Sequence, residues 1–272
     1  MLHARISSRT RLGAAAFVAL LPFQVSHTKG ASGSVERAPL SGGAVPLEGP
    51  GVVLSQRKIS SETGGFLDTL DSGDQFGSAV AALGDLDGDG IGDLAVGALG
   101  DEDGSLSDAN NLQRGAVWVL FLAADGSTRA STKIPAPPGA EYSGFASSIA
   151  VLGRLDGDGT TELAVGASRD GTPDNRPGAL WILFLRPDGT AKAHQKIGAG
   201  VGGFGGALDA DAEFGTAPAA LGDPDGDGRS ELVVGAKGDD DGGTGPTSDR
   251  GAIWVLFLGS DGTVRSQQKI SA

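Results

Sequence analysis

The nine residues DLDGDGIGD at positions 85–93 decide the fold of this 272-residue chain, because they occur three times. A second, altered copy occupies residues 154–162 and a third occupies residues 223–231, so that the spacing is 69 residues each time. A constant period indicates one supersecondary unit used repeatedly. Oxygen-bearing side chains at alternate positions are the ligand pattern of a hard cation. The stretch therefore predicts a repeat architecture with a metal site in each repeat.

The same apolar segments flank each copy of the acidic stretch in the same order. A segment that begins with Phe precedes the stretch, and a short apolar run ending in Gly-Ala follows it. The most apolar segment comes next, at 115–122, 178–185 and 251–258, and an Asp-Gly turn then leads to a polar segment ending in Lys-Ile. Runs of β-branched and aromatic residues between Gly and Asp are typical of strands. We predict four antiparallel strands per unit, the third covered on both faces because it is continuously apolar.

Four-stranded units that repeat radially are the blades of a β-propeller, so we predict an all-β protein of this type with no helix after the first 33 residues. A linear β-solenoid and a twisted β-sandwich are the alternatives, but a solenoid coil usually repeats in far fewer residues. Residues 52–59 resemble a closing strand. The predicted units are a half blade at 43–59 and blades at about 60–134, 135–197 and 198–272. About three and a half blades are too few for a closed ring, so we expect an incomplete or open one.

The N-terminal residues have the pattern of an export signal. Arg5, Arg9 and Arg11 precede the apolar run LGAAAFVALLPF at 12–23, which is shorter than the roughly 20 residues of a membrane span. We predict a signal peptide at 1–33, a Gly/Ser-rich linker at 34–42, and a secreted protein, extracellular or periplasmic, without a membrane span. The alternative is a cytosolic protein with a frayed apolar N-terminus.

The composition restricts the classes of partner. The formal net charge is −13, and an acidic surface argues against nucleic acid, which requires a basic footprint. The chain has no Cys, which excludes disulfides and thiol chemistry. Its 47 Gly residues suit an all-β protein with many tight turns. Bound metal is a source of cross-links that the missing disulfides do not provide.

Spacing within the acidic stretch favours Ca²⁺. Side chains at positions 1, 3, 5 and 9 converge with the carbonyl at position 7, and Gly at position 6 permits the sharp turn. An EF-hand would have a bidentate Glu at position 12, whereas that position is Val96, Val165 or Val234 in a strand-like run. All-oxygen ligation favours Ca²⁺ over zinc, copper and Mg²⁺. The predicted ligands in the first copy are Asp85, Asp87, Asp89, Asp93 and the carbonyl of Ile91; in the third they are Asp223, Asp225, Asp227, Glu231 and the carbonyl of Arg229.

The second copy differs at its first ligand position, which is Arg154. A guanidinium cannot ligate a cation, so we expect Arg154 to replace the ion with an internal salt bridge or to leave a weak site. The residues of this weak or absent site are Asp156, Asp158, Thr160 and Glu162.

Few residues outside these loops are candidates for catalysis or metal binding. His194 is the one His after the predicted signal, and we expect it to be an exposed strand residue. A second acidic cluster, at 101–103 and 239–241, is interpreted as a solvated loop, an extra cation site or a ligand-facing rim. The Trp residues of the third strands are predicted to pack in the core.

These combined features resemble the FG-GAP repeats of integrin α-subunit propellers and of their bacterial secreted relatives. The Phe-Gly half is Phe76-Gly77 and Phe214-Gly215, with Phe145-Ala146 as a departure, and the Gly-Ala-Pro half lacks its proline throughout. The family's cation loop lies between the two halves, and the resemblance covers residues 43–272.

The resemblance implies a seven-bladed fold and a non-enzymatic binding or adhesion module whose loops face an unknown protein or glycan ligand. Two chains of three and a half blades would sum to seven, which suggests self-association to complete the propeller. A truncated or purely structural fragment of a larger propeller is the alternative, and a carbohydrate-active enzyme is the less favoured one.

Overall fold

The computed structural model describes residues 53, 55–102, 114–140, 143–172, 175–240 and 250–271. The predicted signal peptide, the linker and most of the half blade lie outside these residues. Within the described part of the chain, no helix has the length and apolarity needed to cross a membrane.

The described residues form twelve strands and no helix. They make three four-stranded antiparallel sheets, which we call blades 1, 2 and 3, and each sheet keeps the order of the sequence. Blade 1 contains β1 Phe76–Gly84, β2 Asp93–Ala98, β3 Ala116–Leu122 and β4 Thr128–Pro135. Blade 2 contains β5 Phe145–Gly153, β6 Glu162–Ala167, β7 Ala179–Leu185 and β8 Ala191–Gly198. Blade 3 contains β9 Phe214–Gly222, β10 Glu231–Ala236, β11 Ala252–Leu258 and β12 Val264–Ile270.

This arrangement confirms the prediction of propeller-type, four-stranded antiparallel blades without a helix, for the residues that the structure describes. The three blades do not close into a ring there. Residues 55–59, which belong to the predicted half blade, form no strand.

The register places each acidic loop at a hairpin between the first two strands of a blade. Gly84 pairs with Asp93, Gly153 with Glu162 and Gly222 with Glu231. The last predicted ligand of every loop is therefore the first residue of a second strand, and these three side chains are buried.

Apolar side chains between consecutive blades form the core. One cluster lies between blades 1 and 2 and includes Val117, Phe145 and Trp181. A second cluster lies between blades 2 and 3 and includes Leu180 and Phe214. Each blade therefore stabilises its neighbours mainly by burying apolar surface.

The first strand of one blade approaches the preceding blade at a glycine. A Cβ on Gly115 would lie 2.1 Å from the carbonyl oxygen of Phe145, and a Cβ on Gly178 would lie 2.2 Å from that of Phe214. Both glycines also have positive φ, 80° and 84°. Gly is needed at both positions because neither the backbone conformation nor the available space suits a side chain.

Candidate metal centres

The side chain at the first position organises the first and third loops. Asp85 accepts hydrogen bonds from the backbone N–H groups of Gly88 and Gly90, at 2.8 and 2.9 Å. In the third loop Asp223 accepts from Asp227 and Gly228, at 2.9 and 2.8 Å. These bonds fold the chain back on itself, as a short polar side chain does in a turn. Arg154 cannot accept such bonds, so the second loop lacks this bracing.

Three carboxylates converge in every loop. In each set, one oxygen from each residue lies within 4.8 Å of the other two. The sets are Asp85, Asp87 and Asp93; Asp156, Asp158 and Glu162; and Asp223, Asp225 and Glu231. The second loop thus brings together its three acidic residues although its first position is Arg154.

The side chains at position 5 of the first and third loops lie outside these sets. Asp89 and Asp227 accept hydrogen bonds from the backbone N–H groups of Ile91 and Arg229, at 2.8 and 2.9 Å. The roles of Asp89, Asp227 and the carbonyls of Ile91 and Arg229 as ligands therefore stay predictions.

The buried carboxylate at the end of each loop differs in how many hydrogen bonds it accepts. Asp93 accepts from the backbone N–H groups of Leu86 and Leu122, at 3.0 and 3.2 Å. One oxygen of Glu162 accepts from the N–H of Leu155 at 2.5 Å, while its Oε1 has no partner. Glu231 is 0% exposed, and neither of its oxygens has a hydrogen-bond partner. A buried carboxylate without a hydrogen-bond partner is strongly destabilised unless a positive charge lies close to it.

Burial also changes the acidity of the two glutamates. Burial raises the pKa of Glu162 to about 7, with smaller opposing effects from the N–H of Leu155 and from Lys192. Burial raises the pKa of Glu231, and the neighbouring carboxylates of Asp225, Asp227 and Asp223 add to the effect. At both positions burial thus makes the negative charge of the glutamate less favourable than it is in water.

A basic side chain from the fourth strand reaches each loop, which the sequence reasoning missed. Arg129 of β4 pairs with Asp87, and with Asp89 at 2.9 Å. Lys192 of β8 pairs with Asp158, and with Asp156 at 2.7 Å. In the third loop Arg265 of β12 lies 2.5 Å from Asp227 and 3.3 Å from Asp225. The signal was present in the sequence, because the second residue of β4, β8 and β12 is always basic.

These pairs lower the pKa of the exposed carboxylates. The hydrogen bond from Arg129 holds the pKa of Asp87 below its ordinary value. Hydrogen bonds from Lys192 and then Thr160 do the same for Asp158. The internal salt bridge expected from Arg154 is thus made by Lys192 instead, and Arg154 is exposed. The Thr160 hydroxyl lies 2.6 Å from Oδ1 of Asp158 and 3.0 Å from the carbonyl oxygen of Leu185.

The second acidic cluster contains buried ion pairs rather than solvated carboxylates at its first positions. Asp101 is buried and pairs with Lys133 at 2.6 Å, and Asp239 pairs with Lys269 at the same distance. Asp170 occupies the same place in blade 2 and pairs with Lys196 at 2.7 Å. Asp103 and Asp241 lie outside the described residues.

Each of these lysines also lies over a buried tryptophan. The Nζ atoms are 5.5 Å from the ring centroids, in the pairs Lys133–Trp118, Lys196–Trp181 and Lys269–Trp254. The Asp–Lys–Trp arrangement is therefore a repeated structural unit of the blade. His194 is exposed, with its ring centroid 5.5 Å from that of Trp181.

Comparison with known proteins identifies relatives of the repeat region. No protein-family model matches the chain. It is 34% identical over 166 residues to integrin alpha-5 of Xenopus laevis, covering 61% of this chain and 15% of that protein. It is 31% identical over 169 residues to integrin alpha-4 of the same species, covering 60% and 14%. It is also 32% identical over 136 residues to integrin alpha-PS5 of Drosophila melanogaster, covering 47% and 11%.

The matched region thus spans only a small part of these relatives, 15% or less of their length. The repeated Phe-Gly and Gly-Ala halves, the acidic hairpins and the four-stranded blades agree with these sequence matches. The chain is therefore similar, over about 60% of its length, to integrin α subunits, as its FG-GAP-like repeats lead one to expect.

Proposed function

We propose that this chain is a secreted, calcium-binding, non-enzymatic binding or adhesion module in which Ca²⁺ holds the loops of the blades. Glu231 carries the proposal: it is fully buried, both oxygens lack a hydrogen-bond partner, and it faces the carboxylates of Asp223 and Asp225. Three converging carboxylates repel one another unless a cation lies between them.

The donor set fits Ca²⁺ best among common metals. The three converging side chains in each loop offer carboxylate oxygens alone, whereas zinc prefers nitrogen and sulfur ligands. The loops are irregular, and Ca²⁺ tolerates irregular oxygen cages while Mg²⁺ demands an octahedron. In the third loop Asp223, Asp225 and Glu231 would hold the ion, and in the first Asp85, Asp87 and Asp93 would do so.

The ion would have a structural role and not a catalytic one. It would join the hairpin loop to the first residue of the second strand, so that the loop is fixed to the blade. Extracellular modules bind Ca²⁺ with Kd of roughly 10⁻⁴ to 10⁻³ M, so in millimolar Ca²⁺ each site would contribute on the order of 0.5–1.5 kcal/mol. Arg129 and Arg265 would compete with the ion for the same oxygens.

The binding role is supported by the similarity to integrin α subunits and by the pattern of the repeats. The partner is proposed to be a protein or a glycan of the extracellular space. Export is supported by the basic and apolar pattern of residues 1–33. A non-enzymatic role is supported by the absence of Cys, which excludes a thiol nucleophile. It is also supported by the acidic residues, since many of them converge in the loops or form ion pairs.

The proposal is tested by probing the purified chain against a glycan array and a panel of extracellular matrix proteins, in 2 mM Ca²⁺ and in EDTA. We expect Ca²⁺-dependent binding to at least one probe and a higher unfolding temperature in Ca²⁺. The variant Glu231→Gln should weaken both effects. The control Glu213→Gln should weaken neither, because Glu213 is a partly exposed residue that pairs with Lys237 outside the acidic loops. Equal unfolding temperatures in Ca²⁺ and EDTA would contradict the claim that Ca²⁺ stabilises the blades. Binding to a probe that EDTA leaves unchanged would contradict the claim that ligand binding depends on Ca²⁺.

A further inference from the structure

The three acidic loops differ in what holds the buried carboxylate at their ninth position. In the first and second loops, the backbone N–H of the second residue donates a hydrogen bond to this carboxylate. The pairs are Leu86 with Asp93 at 3.0 Å and Leu155 with Glu162 at 2.5 Å. The second residue of the third loop is Pro224, which has no N–H. This missing donor explains why Glu231 has no hydrogen-bond partner among the described residues.

A second proline interrupts the strand pairing behind the third loop. In blades 1 and 2, the fifth residue of the first strand pairs with the fourth residue of the second strand. The pairs are Val80 with Val96 and Ile149 with Val165. The corresponding residue of β9 is Pro218, and the pairing passes from Val233–Ala219 to Gly235–Thr216 without a pair at this proline. The β9–β10 hairpin therefore lacks a strand pair that the other two have, because proline cannot donate to the ladder.

The backbone of β9 is strained beside this break. Ala217 has a φ of 46°, in the left-handed region that a residue with a side chain rarely adopts. Neither Ala79 nor Ser148, the equivalent residues of β1 and β5, has a positive φ. Strain of this kind lowers the free energy needed to open the hairpin.

The second loop, in contrast, is held by groups of the chain itself. Lys192 lies 2.7 Å from Asp156 and also pairs with Asp158. The hydroxyl of Thr160 donates to the carbonyl oxygen of Leu185 at the end of β7, at 3.0 Å. These contacts join the loop to two other strands of its blade without an ion.

The arginine of the third loop does not replace them. Arg265 pairs with Asp227 at 2.5 Å and with Asp225 at 3.3 Å. In the described part of the chain, no ion pair reaches Glu231, which is 0% exposed. The third loop therefore has the strongest need of a cation among the three.

We propose that the β9–β10 hairpin, residues 214–236, is a calcium-controlled switch that opens locally when Ca²⁺ is withdrawn, whereas the β5–β6 hairpin, residues 145–167, stays closed. This inference rests on the proposed calcium role of the third loop. Pro218 and Pro224 are the residues that make the hairpin dependent on the ion. Phe214 of the same hairpin is completely buried between blades 2 and 3, so opening would also loosen this junction.

Hydrogen exchange of the whole chain, measured by mass spectrometry in EDTA and in about 10 mM Ca²⁺, tests the switch. In EDTA the β9–β10 hairpin should exchange roughly tenfold faster than the β5–β6 hairpin, because it has fewer hydrogen bonds to break before it opens. With Kd in the extracellular range, Ca²⁺ should slow exchange of the β9–β10 hairpin by about ten- to a hundredfold. Exchange of the β5–β6 hairpin should change by less than about twofold.

Two variants test the role of the prolines. Pro224→Leu supplies the N–H that the other loops have, so exchange of the β9–β10 hairpin in EDTA should slow by about fivefold. Pro218→Val supplies the missing strand pair and should act in the same direction. Replacing a proline ordinarily lowers stability, since the unfolded chain gains freedom, so slower exchange would be specific to the restored contacts.

Pro187→Ala is the matched control. Pro187 is exposed in the turn between β7 and β8, where blade 1 has Ala124, so this variant should leave exchange of the β9–β10 hairpin unchanged. Circular dichroism checks that every variant is folded.

Calorimetric titration with Ca²⁺ on the same samples separates this inference from the proposed function. If Ca²⁺ binds but slows both hairpins equally, the inference is overturned and the calcium role stands. The same holds if folded Pro224→Leu and Pro218→Val chains exchange as fast as the wild type in EDTA. If no Ca²⁺ binds, both the inference and the calcium role are overturned.

Discussion

Nζ of Lys192 in β8 lies 2.7 Å from Oδ2 of Asp156, so an ammonium group of the protein itself neutralises charge in the second acidic loop. Arg129 and Arg265 occupy the same place in the first and third loops. Each loop therefore has two candidate counter-ions, Ca²⁺ and a basic side chain from the fourth strand. Both act on the same carboxylates, so removing one should strengthen binding of the other.

We expect Arg265→Gln to tighten Ca²⁺ binding at the third loop. The guanidinium competes for Asp225 and Asp227, and a partly exposed pair of this kind is worth at most about 1 kcal/mol, so the gain should be about two- to fivefold in Kd. Isothermal titration calorimetry measures it. Arg57→Gln, which removes a pair with the exposed hairpin residue Asp125, is the control and should leave Kd unchanged. Weaker binding by Arg265→Gln would show that the arginine helps to hold the ion.

The variant Glu231→Gln should have opposite effects with and without calcium. In EDTA it removes a buried carboxylate that has no partner, so the unfolding temperature should rise by about 2–4 °C, corresponding to roughly 1 kcal/mol. In Ca²⁺ the variant loses a ligand, so the increase in unfolding temperature caused by Ca²⁺ should shrink. Differential scanning calorimetry under both conditions checks the two signs. A variant that is less stable than the wild type in EDTA would contradict the account of Glu231.

Stability without calcium should depend on pH through Glu162. Its pKa is about 7 in the folded state and 4.5 ordinarily, so the folded state binds the proton more tightly. The stabilising contribution of Glu162 to the free energy of unfolding is fully present below pH 4.5. It is lost as the pH rises to about 7, and its total is on the order of 2–3 kcal/mol. Urea unfolding in EDTA at several pH values measures it. Glu162→Gln should show a flatter dependence over this range; a dependence identical to that of the wild type would contradict the assignment.

The buried pair of Lys269 and Asp239 should be needed for the stability of blade 3. Lys269→Met removes the ammonium beside a carboxylate that is fully buried, which should lower the free energy of unfolding by about 3 kcal/mol. The double variant Lys269→Met with Asp239→Asn should recover part of the loss, because no charge then stays buried. Chemical denaturation compares the two. If the double variant is no more stable than the single one, the loss comes from packing on Trp254 and not from the charge.

The fold followed from the sequence because its signals are local and repeated. The Phe-Gly segments, the acidic hairpins and the apolar third strands each occur three times, and the strands lie where these patterns predicted them. The convergence of Asp223, Asp225 and Glu231 also followed, since these side chains belong to one hairpin.

The side-chain contacts between residues far apart in the sequence could not be predicted from the repeated patterns. Lys269 meets Asp239 across 30 residues, and Arg129 meets Asp87 across 42. A polar residue in a loop or strand has several candidate partners until the order of the strands is known. For this reason the sequence alone predicts a solvated loop for Asp101 and Asp239, and it predicts for Arg154 a salt bridge that Lys192 makes.

Counting the bound calcium ions tests the central claim most directly. Equilibrium dialysis against millimolar Ca²⁺, followed by metal analysis, should find two ions per chain, at the first and third loops. Arg154→Asp should raise the number to three, because it supplies the missing first ligand of the second loop. Glu231→Gln should lower it to one. A chain that binds no Ca²⁺ would contradict the account of these loops, and an unchanged number in Arg154→Asp would contradict the role assigned to Arg154.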